Sequence, residues 1–104
     1  MVNTGFGYLP TPPGEFVKRE LELRGIPQHK LAAQIDMSYA VLNDILNGRH
    51  VFTTTTALLL EAAIDVPADS LLRMQIKYNL QIAHQDKDLA KRLAQIRKSA
   101  INIE

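Results

Sequence analysis

The sequence predicts an all-α fold, a bundle of five to six helices. Apolar residues recur at spacings of three and four along most of the chain, which is typical of helices with one buried face. Residues that favour helix starts and stops, namely Ser, Thr, Pro and Gly, stand between these stretches. The length of 104 residues is enough for one compact domain and too short for two.

The chain is predicted to begin with an extended arm that leads into a helix. Residues 1–12 hold two glycines and two prolines, which do not suit a regular helix. The arm either rests on the core through its apolar side chains or docks onto a partner. Pro13 can occupy the first helical turn, and Gly25 can end the helix. The apolar face of this helix is expected to hold Phe16, Val17, Leu21 and Leu23.

A helix-turn-helix is predicted over residues 28–48, QHKLAAQIDMSYAVLNDILNG. Asp36 stands at the turn, where it must adopt a left-handed conformation at some cost. Ser38 can cap the second helix, and Gly48 can end it. The two apolar faces are expected to hold Leu31, Ala32 and Ile35, then Val41, Leu42, Ile45 and Leu46. This pattern favours a recognition helix in the DNA major groove, but it also occurs in helical proteins that do not bind DNA.

Three further helices are predicted, over residues 54–64, 68–84 and 87–99. The first has a threonine cap and is almost wholly apolar, so it should be central to the core. The second follows a break at Asp65-Val66-Pro67 and has two apolar stripes, Leu71, Met74, Tyr78 and Ile82, and Leu72, Ile76, Leu80 and Ala83. One stripe should face the domain and the other a second copy or a partner. The last helix has a narrow apolar seam of Leu89, Leu93 and Ile96.

These elements predict three segments that differ in charge. The arm covers residues 1–12, a domain with the long partner helix covers 13–86, and a basic helix and tail cover 87–104. The last segment carries five basic and two acidic residues, net +3, whereas residues 1–86 carry seven basic and nine acidic residues, net −2. Because Lys and Arg supply most non-specific DNA affinity, the body is a weak electrostatic fit for DNA. A dimer with Lys30, Arg49 and His50 near the backbone would partly offset this, and the basic end also suits a solvated helix face.

Residue content disfavours several other function classes. The chain has no cysteine, which excludes disulfides, thiol catalysis and cysteine-based zinc sites. His29, His50 and His84 are isolated from metal-ligand or paired-carboxylate patterns, and the glycines form no phosphate loop. We therefore expect no enzyme activity, cofactor or metal. No apolar run is long enough to span a bilayer and no signal peptide is recognisable, so a cytoplasmic location is expected.

Three separated motifs occur in order along residues 11–83. They are Pro13-Gly14-Glu15, the run LAAQIDMSYAVLNDILNG followed by Thr56-Ala57-Leu58, and Met74-Gln75-Ile76-Lys77-Tyr78-Asn79-Leu80. Together they resemble the HigA branch of the Xre/Cro helix-turn-helix antitoxins. The sequence departs from that pattern at four places. Asp36 replaces the turn glycine of the family, Met74 replaces a leucine, and Asn79 replaces an aspartate. Leu71-Leu72 stands where the family often has an aromatic pair. The resemblance implies a lambda-repressor-like DNA-binding fold with a C-terminal helical extension.

The resemblance also implies a function. It indicates a homodimeric antitoxin that binds a cognate RelE-like ribonuclease toxin and represses their shared operon at a palindromic operator. Such toxins tend to be basic, so the candidate toxin contacts are acidic: Glu20, Glu22, Glu61, Asp65 and Asp69. The candidate DNA-binding residues are Gln28, Lys30, Ser38, Tyr39, Ala40, Asn43, Asp44 and Arg49.

The chemistry of these side chains suits DNA. Gln28 and Lys30 are expected near phosphates. Asn43 suits an adenine edge, Asp44 a cytosine amine and Ala40 a thymine methyl group. Two alternatives remain open at this stage, a stand-alone Xre-type transcriptional regulator and a helical protein-interaction module whose helix-turn-helix no longer binds DNA.

Overall fold

The computed structural model describes residues 11–99, and within them the chain forms six α-helices and no strand. In chain order they are α1 (Pro13–Arg24), α2 (Gln28–Gln34), α3 (Tyr39–Leu46), α4 (Thr54–Ile64), α5 (Ala68–His84) and α6 (Lys87–Lys98). The all-α prediction is confirmed. The arm predicted over residues 1–12 lies outside the described residues except for Thr11 and Pro12.

Local capping explains where these helices begin and end. The Thr53 hydroxyl accepts a hydrogen bond from the backbone N–H of Thr56 at 3.2 Å, which satisfies one free donor at the start of α4. The same helix ends at Asp65, which adopts a left-handed conformation with φ of 60°. Gly25 ends α1 with φ of 66°, a conformation that glycine adopts without steric cost.

Helices α1, α2, α3 and α4 and the first turn of α5 share one hydrophobic core. Phe52 enters it from the loop between α3 and α4 and is 5% exposed. The other core residues come from the helices and from the segments that follow α2 and α4: Val17, Leu21, Leu31, Ala32, Ile35, Leu42, Ile45, Leu46, Ala57, Leu60, Ile64, Val66, Ala68 and Leu71.

Two residues predicted for this core lie at the surface instead. Leu23 is 82% exposed, because it follows Leu21 by two positions and so lies about 200° round a helix of 3.6 residues per turn. Val41 is 37% exposed, about 100° from the fully buried Leu42. The apolar faces of α1 and α3 are therefore narrower than the sequence predicts.

The long helix α5 leaves the core along its length. Its first turn is buried through Ala68 and Leu71. The stripe that contains Leu71 stays half-buried at Met74 and Tyr78, although Ile82 is 43% exposed. In the other stripe Leu72 and Ala83 are half-buried, whereas the two residues between them are exposed, 58% at Ile76 and 54% at Leu80.

The last helix, α6, packs on α5. Its start is capped by Asp86, whose side chain accepts from the backbone N–H of Leu89 at 3.0 Å. No residue of α6 is buried. Leu89 and Leu93 are half-buried, whereas Ile96 of the predicted seam is 55% exposed. None of the helices within residues 11–99 has the length and apolarity required to cross a membrane.

A close backbone contact joins the start of α1 to the end of α3. Gly14 is buried, and a Cβ atom at this position would lie 2.3 Å from the carbonyl oxygen of Leu46 and 2.9 Å from its Cα. Both are backbone atoms, which cannot rotate aside as a side chain can. The contact therefore requires glycine at position 14.

We expect Gly14→Ala to lower the free energy of unfolding by about 1–3 kcal/mol, because the added methyl group forces α1 away from α3. This loss should appear although alanine favours a helix more than glycine does. Urea unfolding followed by circular dichroism measures it. Glu22→Ala, at an exposed position of α1, is the control and should change stability by less than about 0.5 kcal/mol. Equal midpoints for the two variants would contradict the close contact.

Candidate nucleic-acid interface

The turn between α2 and α3 is built from three residues with distinct roles. Asp36 adopts the predicted left-handed conformation with φ of 55°. Met37 donates its backbone N–H to the carbonyl of Ala32 at 2.9 Å and is half-buried against the core. The Ser38 hydroxyl accepts from the backbone N–H of Val41 at 3.1 Å. The predicted cap is thus confirmed, and it fixes the residue at which α3 begins.

The first turn of α3 lies at the protein surface, as a helix that contacts bases in the DNA major groove requires. Tyr39 is 53% exposed, and Ala40 is exposed beside it. The opposite side of α3 is anchored in the core through Leu42, Ile45 and Leu46. The anchored side fixes the rotation of α3, so Tyr39 and Ala40 stay accessible to a ligand.

A chain of hydrogen bonds links the start of α2 to the residues after α3. Asn43 donates its Nδ2 to Gln28 Oε1 at 3.1 Å and accepts at Oδ1 from Arg49 Nη2 at 3.2 Å. Arg49 also donates its Nε to Asp44 Oδ1 at 2.9 Å. The structure therefore brings four predicted site residues, Gln28, Asn43, Asp44 and Arg49, into one polar network.

This network changes what Asn43 and Asp44 can do chemically. A bidentate contact with adenine uses both the Oδ1 and the Nδ2 of asparagine. Each of these atoms of Asn43 already has one partner within the chain, which leaves one lone pair and one N–H for a base. Both carboxylate oxygens of Asp44 face nitrogen atoms of basic side chains, the Arg49 guanidinium at 2.9 Å and the His50 imidazole at 3.7 Å. In this arrangement the two side chains orient Gln28 and Arg49 at the surface.

The sequence did not predict two contacts beside the interface, one of His50 with Asp44 and one of Lys18 with Asn47. His50 was predicted only as a basic group near the backbone, and the structure adds its contact with Asp44. Lys18 of α1 donates to Asn47 Oδ1 at 2.8 Å, which places a cation of α1 beside the end of α3. Lys18 and Asn47 are 29 positions apart, so no local sequence signal could have paired them.

The interface carries little unpaired positive charge. Lys18 lies 3.3 Å from Glu15, and Arg49 is paired with Asp44. Lys30 is exposed on α2 and forms no ion pair with the residues of 11–99. This agrees with the weak electrostatic fit that the sequence predicts.

A groove of about 530 Å³ with a mixed polar and apolar lining adjoins the interface. One wall comes from the start of α1 and the loop after α3, where Arg49 and His50 lie. The other wall comes from the middle of α5, where Gln75, Tyr78 and Asn79 lie. Across this groove the long helix borders the end of α3. No group of His, Asp and Glu residues within 11–99 has an arrangement that would hold a metal ion.

The fold and this geometry agree with a known family. A helix-turn-helix family model matches residues 17–71, which is more than half of the chain. The chain belongs to the helix-turn-helix family. Virulence-associated protein I of Dichelobacter nodosus is 33% identical over 93 residues, which cover 88% of this chain and 86% of that protein.

Solved structures similar to this helix-turn-helix protein include one from Coxiella burnetii and one from Pseudomonas aeruginosa. One is an addiction module antidote protein of the HigA family from Coxiella burnetii, with a TM-score of 0.71 and 27% identity, covering 92% of this chain and 100% of that chain. The other, from Pseudomonas aeruginosa, was solved with its operator DNA of 18 bp and has a TM-score of 0.70 and 25% identity, covering 90% and 97%. The predicted resemblance to HigA-type helix-turn-helix proteins is confirmed.

Removal of the Ser38 cap should be measurable as a loss of stability. We expect Ser38→Ala to lower the free energy of unfolding by about 1 kcal/mol, because the N–H of Val41 loses its acceptor. Ser38→Asp is the matched control, since aspartate also caps helices and should keep stability near that of the unchanged protein. Thermal unfolding of both variants tests this, and a loss of equal size in both would show that the cap contributes nothing.

Proposed function

We propose that this chain is the antitoxin of a type II toxin–antitoxin pair. It neutralises a RelE-like ribonuclease toxin by direct binding and represses its own operon through sequence-specific DNA binding. The observation that carries the proposal is the extent of the likeness to the HigA-family antidote protein, which reaches beyond α2 and α3 into the C-terminal helices. A likeness restricted to the helix-turn-helix would support DNA binding alone.

The DNA-binding part of the proposal assigns roles to the predicted site residues. Tyr39 and Ala40 at the exposed start of α3 contact base edges in the major groove. Asn43 and Asp44 contact base edges through the donors and acceptors that their hydrogen bonds within the chain leave free. The other predicted residues contact the backbone or support the reading residues: Gln28, Lys30, Ser38 and Arg49. The fold of the Pseudomonas aeruginosa relative, solved with its operator, supports this placement.

A second copy of the chain covers the exposed face of α5 in this proposal. Ile76 and Leu80 are one helical turn apart and more than half exposed, so they form an apolar stripe without a neighbour within residues 11–99. A small chain buries a limited core, and dimerisation buries further apolar surface. A two-fold dimer also presents two recognition helices, which matches a palindromic operator.

The toxin part of the proposal narrows the set of acidic contacts. Three of the five predicted acids have partners inside the fold. Glu20 pairs with Arg24 at 3.1 Å, Asp69 pairs with Arg73 at 3.2 Å, and Glu61 accepts from the backbone N–H of Ala68 at 3.0 Å. The two acids that remain, Glu22 and Asp65, are both exposed and lie near the ends of α1 and α4.

These two helix ends form one corner of the molecule. Arg24 donates to the carbonyl of Ile64, which connects the end of α1 with the end of α4, one residue before Asp65. Leu23 is 82% exposed, so the corner combines an accessible apolar side chain with two carboxylates. Such a surface complements a basic protein partner. We assign the toxin contact to this α1–α4 corner of Glu22, Leu23 and Asp65.

Two substitutions distinguish base contacts from phosphate contacts. We expect Asn43→Ala to weaken operator binding by about 1–3 kcal/mol and to relax sequence preference, whereas Lys30→Ala weakens all DNA sequences alike. Fluorescence anisotropy on the region upstream of the gene and on random duplex DNA measures both effects. Equal losses on the two DNAs for both variants would remove the assignment.

Footprinting of the unchanged protein on the same DNA tests the dimer. Two protected half-sites should be centred about 34–36 Å apart. The double variant Ile76→Glu/Leu80→Glu should lose the paired pattern, because four charges would then face each other across the two-fold axis. Paired protection that survives this change would place the dimer contact elsewhere.

Co-expression with the small reading frame next to the gene tests the antitoxin directly. We expect the neighbour alone to arrest growth, and this chain to relieve the arrest and to co-purify with the neighbour. Leu23→Arg should weaken both effects, because it sets a cation against a basic toxin. Val51→Arg is the control, since Val51 is 79% exposed but lies on the loop after α3.

The outcomes separate the functions that the sequence allows. A harmless neighbour that does not bind would leave a stand-alone Xre-type transcriptional regulator or a helical protein-interaction module, and the footprint decides between these two. Equal weakening by Leu23→Arg and Val51→Arg would keep the antitoxin but remove the α1–α4 corner as its toxin contact.

A further inference from the structure

The last helix concentrates the unpaired positive charge of the described chain. Before α6, four of the seven Lys and Arg residues form ion pairs: Lys18, Arg24, Arg49 and Arg73. The five cations of α6 are all exposed, and none forms an ion pair with a carboxylate of residues 11–99. Most of the charge available for a polyanion therefore lies on one helix.

Three of these cations share one side of α6. Lys87, Lys91 and Lys98 fall within about 40° of each other at 3.6 residues per turn, and they span about 16 Å along the axis. Leu89 and Leu93, which are half-buried and pack toward α5, lie on the opposite side. We call Lys87, Lys91 and Lys98 the lysine stripe. Because the apolar side holds α6 in place, the lysine stripe faces solvent.

The fold connects this stripe to the candidate interface through α5. Tyr78 and Asn79 of α5 line the same groove as Arg49 and His50, which follow the recognition helix. Two residues separate the end of α5 from the start of α6, and α6 packs on α5. A duplex that is bound to α3 and continues past the middle of α5 would therefore approach α6.

We infer that the lysine stripe binds the phosphate backbone of duplex DNA beside the half-site that α3 reads. This inference rests on the proposed DNA-binding function and adds a second contact to it. Duplex DNA carries one phosphate per about 3.4 Å of each strand, so a stripe of about 16 Å can meet several phosphates. Contacts to phosphate position a protein and add affinity without sequence preference. The stripe supplies the positive charge that the net −2 body lacks.

The salt dependence of DNA binding tests this inference. Each phosphate contact contributes about 0.9 to the slope of log K against log salt. The full chain is compared with the triple variant Lys87→Gln/Lys91→Gln/Lys98→Gln by anisotropy on operator and random duplexes. We expect the slope to fall by about 2–3 per subunit on both DNAs, with the ratio of the two affinities unchanged.

A control variant with the same net charge separates the effect of the lysine stripe from the effect of net charge on DNA binding. Arg19→Gln/Arg73→Gln/Lys77→Gln also removes three positive charges, but from exposed positions of α1 and α5. Its slope should change by less than about 1. Circular dichroism should show both variants folded, because every substituted residue is exposed.

Three results would overturn the inference. The stripe variant could keep the slope of the unchanged chain, the control could lower the slope equally, or the stripe variant could lose affinity for the operator alone. The proposed DNA-binding function fails in a different way, since the unchanged chain would then show no operator preference at any salt concentration. A stripe that binds single-stranded RNA in place of duplex DNA would also leave the duplex slope unchanged.

Discussion

Gly14 lies against the backbone of Leu46, and this contact fixes the end of the recognition helix relative to α1. Other features of the interface depend on it. One turn later on α1, Lys18 reaches Asn47 just beyond α3. The loop that follows then borders α5, so that α1, α3 and α5 share one groove. A side chain at position 14 would separate the elements that position the candidate DNA contacts.

Helix α3, the candidate recognition helix, has a buried side and an exposed side with different roles. Leu42, Ile45 and Leu46 hold it in the core, so its rotation is fixed before any ligand arrives. Asn43 and Asp44 lie between these anchors and are held by Gln28, Arg49 and His50. Side chains that are already ordered lose less conformational entropy on binding. The network therefore favours a preorganised surface, and it leaves Asn43 and Asp44 hydrogen-bonding capacity for a further partner.

Helix positions could be predicted from sequence because their causes are local. Ser38, Thr53 and Gly25 act within one turn of the helix ends that they define. The exposure of Leu23 also has a local cause, since Leu23 lies about 200° round α1 from Leu21. The exposure of Val41 has a tertiary cause, since Val41 lies at the edge of an apolar face whose width depends on the neighbouring helices. The Asn43 network could not be predicted either. It joins residues that are 15 positions apart, and side-chain chemistry alone allows Asn43 many partners.

The distribution of internal ion pairs also restricts how partners can be arranged. Acidic and basic side chains that are paired inside the fold, such as Glu20 with Arg24 and Asp44 with Arg49, offer less to an external charge. The groups left without such pairs lie on different elements. Glu22 and Asp65 stand at the ends of α1 and α4, the apolar Ile76 and Leu80 on α5, and the unpaired lysines on α6. The contacts proposed for a toxin, a second copy and DNA therefore involve different residues of the chain.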